Sequence, residues 1–97
     1  MIRHIVMWNI KEGLDKEKTI SELKGRLEAL PIQIPFIRKI HLGVNYNVNE
    51  TGRDVVLYSE FETSEDLEKY IVHPAHKEVG IYVRSVVCDR VDVDCRF

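Results

Sequence analysis

The chain has 97 residues, 44% hydrophobic and 31% charged, with a formal net charge of -2 and a pI near 6.1. This is the composition of one ordinary globular domain, and the charge balance argues against a general nucleic-acid binder, which needs a basic face to displace counterions. No apolar run is long enough to span a bilayer as a helix, and the opening Met-Ile-Arg-His-Ile-Val-Met-Trp lacks a small-residue cleavage site, so a cytoplasmic protein with no membrane partner is expected.

Residues 2–10 predict the first strand. Ile2, His4, Val6, Trp8 and Ile10 share one face; Ile5 and Met7 take the other. A strand apolar on both faces needs cover on both. A chain this short supplies helices for one side only, so the other face is expected to meet a second copy of the protein.

Gly13 and Asp15 then signal a turn and a helix N-cap. Ile20, Leu23, Leu27 and Leu30 recur at helical spacing, and Pro31 and Pro35 end the helix. Gly25 lies inside it and is expected to allow close packing, the alternative being that it leaves space for a ligand. Residues 36–46 predict the second strand, 45–53 a turn rich in Asn and Gly, and 54–62 the third strand. Thr63 or Ser64 caps a second helix, whose Leu67, Tyr70 and Ile71 should face the sheet. His73-Pro74 breaks that helix and starts another, since proline suits the first helical position. Val79, Ile81, Tyr82 and Val83 belong to this new piece. Residues 86–96 predict the last strand, with Val87, Val91, Val93 and Cys95 alternating with Cys88, Arg90, Asp92 and Asp94.

The order is therefore β-α-β-β-α-β, with the second helical segment broken in two. This is an α+β ferredoxin-like sandwich, a single domain over 1–97 with a four-stranded antiparallel sheet and one face left to pair. Cys88 and Cys95 on one strand lie roughly 23 Å apart and should point to opposite faces, which rules out a disulfide between them. Free thiols fit a reducing compartment.

The residues that carry chemistry cluster in Tyr70-Ile-Val-His-Pro-Ala-His76. That motif resembles the stress-responsive dimeric α/β-barrel (Dabb) domain family. So do Ile2-Arg-His-Ile-Val-Met-Trp8, Asp54-Val-Val-Leu-Tyr-Ser-Glu-Phe61, Glu65-Asp-Leu-Glu-Lys-Tyr70 and Arg90-Val-Asp-Val-Asp94. The resemblance implies a homodimer in which two sheets form a barrel. Many such proteins have no assigned reaction. One plant branch contains polyketide cyclases whose pocket holds a His and a Tyr at the positions of His4 and Tyr70, and a His at that of His76. Trp8, Arg90 and Asp92 depart from that branch and imply a smaller or more polar pocket.

His4, Tyr70 and His76 are thus the candidate catalytic set, within a pocket expected to include Val6, Trp8, Leu27, Leu57, His73 and Val79. An imidazole exchanges protons at cellular pH, and a phenol can hold a carbonyl oxygen. Each residue also has a structural reading. His73 can cap the helix at Pro74, His76 can bond to strand backbone, Tyr70 can be core, and His4 can be a satisfied core histidine. Pro74 interrupts any His73–His76 metal pair, so no metal or cofactor is expected. The leading expectation is a dimeric ligand-binding protein. A cofactor-independent lyase, cyclase or isomerase acting on a carbonyl compound is the alternative, and a monooxygenase of the same general fold is the third.

Overall fold

The computed structural model describes residues 1–47 and 49–97; Val48, within the predicted 45–53 turn, lies outside the described residues. Strand β1 (Ile2–Ile10) is followed by helix α1 (Lys16–Glu28), a 3-10 turn (Leu30–Ile32), β2 (Lys39–Val44) and β3 (Val55–Phe61). Helices α2 (Ser64–Val72) and α3 (Pro74–Val86) then lead into β4 (Val87–Arg96). The four strands order as β2-β3-β1-β4, all antiparallel, which is the ferredoxin-like arrangement.

Each helix starts where its capping chemistry sits. The Asp15 carboxylate accepts from the Lys18 amide at 3.1 Å, and the Thr63 hydroxyl accepts from the Asp66 amide at 3.1 Å. His73 serves two helices. Its own N–H donates to the Tyr70 carbonyl at 3.1 Å, closing α2, while its Nδ1 accepts from the Ala75 amide at 3.0 Å, opening α3.

The helices cover one face of the sheet. Ile2, His4, Val6, Trp8 and Ile10 of β1 are buried there with Leu57, Phe61, Leu23, Leu27 and Tyr70. On the opposite face Ile5 is half-buried and Met7 is exposed. The chain termini close beside β1, with the Phe97 amide donating to the Met1 carbonyl at 3.0 Å.

Four local expectations are corrected. First, β2 begins at Lys39, because the Ile37 amide turns back to the Ile34 carbonyl at 3.2 Å before the ladder forms. Second, Gly25 meets nothing within 4 Å of a Cβ placed on it, so it faces open space and allows no close approach. Third, Ile71 is 44% exposed, since the short α2 buries only the Leu67–Tyr70 stripe.

The fourth correction concerns β4. Met7 pairs with Val91 and Asn9 with Cys88, so Asp89 and Arg90 together oppose Trp8. That is a β-bulge, and Asp89 adopts φ 56 within it. The extra residue moves Val87 to the helix side opposite Ile10, and Cys88 to the outer side opposite Asn9. Cys88 and Cys95 therefore share a face instead of opposing one another, and both are free thiols.

Phe61 is fully buried whereas Ile81 is 68% exposed. Chemical denaturation should accordingly find Phe61→Ala destabilised by about 3–5 kcal/mol. Ile81→Ala should stay within about 0.5 kcal/mol of wild type.

Candidate functional site

Between the sheet and helices α1 and α3 lies a cavity of about 500 Å³. Trp8, Leu27, Leu57 and Val79 form much of its apolar wall, and Tyr70 and His76 contribute its titratable groups. Two residues expected in the wall lie elsewhere. Val6 is packed in the core, and His73 is committed to the caps of α2 and α3. The α3 side of the wall is one helical stripe, His76, Val79, Gly80, Val83 and Arg84, at spacings of three and four. The β4 side is the bulge, through Val87 to Arg90.

Tyr70 packs beside both His4 and His76, but His4, expected in the pocket, does not line the cavity. The Tyr70 ring centroid lies 4.4 Å from that of His76 and 6.3 Å from that of His4, with Phe61 at 5.0 Å on another side. Tyr70 is fully buried, so its ring forms the floor of the cavity. Its hydroxyl has no hydrogen-bond partner among the described residues. Burial pushes its ionisation well above the usual phenol range, so the group is a neutral donor at cellular pH. A buried hydroxyl without a partner costs about 1–3 kcal/mol.

His76 is half-buried. Its Nδ1 lies 3.0 Å from the Ile71 carbonyl. A carbonyl only accepts, so Nδ1 carries the proton and Nε2 is left with a lone pair. The partner is backbone of α2, not the strand backbone of the structural reading. Desolvation lowers the His76 pKa. The bond to Ile71 works against this, while the positive charges of His4, Arg84 and Arg90 add to it. The neutral ring is thus favoured, as a proton acceptor requires.

His4 stands behind Tyr70, with its Nδ1 2.5 Å from the Asp94 carboxylate. Asp94 is an exposed residue of the edge strand, and one strand read alone does not show its neighbour. The β1–β4 register, which sets Asp94 opposite His4, is what reveals the pair. Arg84 and Gly80 were also missed, since neither belongs to a recognisable motif. Among the described residues, no three His, Cys, Asp or Glu side chains are grouped to hold a metal ion, and no helix is long and apolar enough to cross a membrane.

Residues 2–97 match the family model described as the stress responsive A/B barrel domain. A curated relative, a stress-response A/B barrel domain-containing protein of Arabidopsis thaliana, is 28% identical over 79 residues, which are 79% of this chain and 72% of the relative. A dimeric protein of ferredoxin-like fold from Bacteroides fragilis superposes with a TM-score of 0.87 at 33% identity, covering 99% of this chain and 95% of that one. An Arabidopsis thaliana crystal structure gives a TM-score of 0.89 at 25% identity, covering 100% and 95%.

The depressed His76 pKa has a consequence for stability. Because the unfolded chain takes up the proton first, the His76 contribution is fully present above the ordinary value of 6.5 and is lost as pH falls through the folded pKa. An NMR titration should place His76 below 6.5. Replacing it with Gln should flatten the acid limb of the stability curve.

Proposed function

Because the chain belongs to the stress-responsive A/B barrel domain family, we propose that it is a homodimer whose cavity binds a small carbonyl compound and transfers a proton on it. The observation that carries this reading is the buried Tyr70 hydroxyl, unpartnered beside a neutral His76. The ligand's carbonyl oxygen takes the Tyr70 O–H as its donor. The C–H bond next to that carbonyl gives its proton to His76 Nε2, and its electron pair moves into an enolate whose oxygen Tyr70 holds. Reprotonation at carbon returns the imidazole to its starting state. His4, fixed by Asp94, supports the far side of the Tyr70 ring. The apolar wall keeps water from the enolate.

The dimer reading rests on the outer sheet face. Val91 and Val93 pair with Met7 and Ile5, and among the described residues no helix covers this apolar strip. The dimeric Bacteroides fragilis relative supports it. A binding role without turnover is the second reading, and the full burial of Tyr70 favours it.

Proton transfer is tested by solvent deuterium exchange next to the carbonyl, followed by NMR over a panel of small ketones. Wild type should accelerate exchange for at least one member. Tyr70→Phe should slow that exchange about 100-fold. It should leave stability unchanged or raise it by about 1 kcal/mol, since it removes an unsatisfied hydroxyl. His76→Ala should abolish exchange and remain folded. Exchange that is absent in wild type, with ketones still bound, would leave the binding role alone. For the dimer, light scattering should find Val93→Lys monomeric; a dimer of unchanged mass would exclude this face.

A further inference from the structure

Arg84 sits at the mouth of the cavity, on the same α3 stripe as His76. Among the described residues its guanidinium joins no ion pair and donates no hydrogen bond. The other arginine in the wall, Arg90, is already paired with Asp92. The side chain of Arg84 is exposed but does not extend straight outward. It folds back over the preceding turn, where a Cβ placed on Gly80 would stand 3.1 Å from its Nη1. Gly80 has no positive φ and ends no helix, so backbone geometry does not require a glycine there. Its missing side chain is the seat on which the guanidinium lies.

An unpaired, always-charged fork beside an apolar cavity fits a carboxylate. The two arginines of the wall, Arg84 and Arg90, both bear on His76 as positive charges, and the wall's one carboxylate, Asp89, is held outside by the Asn9 amide, which donates to it at 2.9 Å. We infer that the ligand of this cavity is an oxo acid, with its ketone between Tyr70 and His76 and its carboxylate on the Arg84 guanidinium. This rests on the carbonyl-binding reading above. The spacing follows from the helix. Gly80 lies one turn beyond His76, about 6 Å along the axis, which sets the ketone about five bonds from the carboxyl carbon.

The probes are oxodecanoic acid with its ketone at that separation, its methyl ester, and decanoic acid. Isothermal titration calorimetry reads their Kd values for the wild-type protein, Arg84→Gln and Gly80→Ala. Wild type should prefer the oxo acid to its ester by about tenfold, and should bind decanoic acid more weakly than the oxo acid. Arg84→Gln should remove the preference for acid over ester while leaving the ester's Kd unchanged. Gly80→Ala should raise the melting temperature, as alanine does within a helix, yet weaken the acid selectively by displacing the guanidinium.

Equal binding of acid and ester by wild type would overturn the carboxylate site and leave the carbonyl pocket standing. A preference that survives Arg84→Gln would likewise overturn it. Binding of neither compound would remove the pocket reading, and this inference with it.

Discussion

The packing of the Tyr70 ring joins the separate layers of this fold. Phe61 reaches it from β3, His4 from β1 and His76 from α3, while Tyr70 itself comes from α2. One side chain thereby ties two strands to two helices, and it is fully buried in doing so. An aromatic ring is suited to this, because it fills a large volume with few rotatable bonds and prefers tilted contacts with other rings. A tyrosine rather than a phenylalanine carries a cost, since the hydroxyl is left without a partner among the described residues. Local rules of packing are usually broken where function requires it, and here the break coincides with the cavity floor.

The cavity is bounded on one side by the irregular start of β4. Its helix-facing positions beyond the bulge carry Asp92, Asp94 and Arg96 where the central strand carries Val6, His4 and Ile2. These charged positions are exposed and lie beyond the cavity, whose β4 wall is Val87 to Arg90. Asp94, itself exposed, bonds His4 and so gives the buried imidazole a partner. The same bulge places Asp89 and Arg90 at the cavity rim.

Much of this was legible in the sequence, and for identifiable reasons. The alternation of β1, the Thr63 cap and the His73-Pro74 break are local signals whose physics does not depend on distant residues. The element order followed from them, and the family match over 2–97 agrees with the motifs that suggested it. What escaped were relations between segments. The bulge carries no glycine to announce it, since Asp89 itself takes the left-handed conformation, so the faces of Val87 and Cys88 were misread. Asp94 gained its meaning only from its place opposite His4, and Arg84 only from the gap above Gly80. Val6 and His73 were assigned to the pocket wall by parity and by motif. The first is too deeply packed and the second is occupied as a cap.

The double duty of His73 bears on how the molecule breathes. Its amide ends one helix and its imidazole begins the next, so neither helix end can fray without loosening the other. Tyr70 and His76 stand three residues to either side of that joint. Any local opening there displaces both together, as one cooperative unit rather than two independent fluctuations. Amides around the joint would then exchange with a shared opening free energy. The spacing between the two aromatic groups is consequently guarded by backbone chemistry that never touches the cavity.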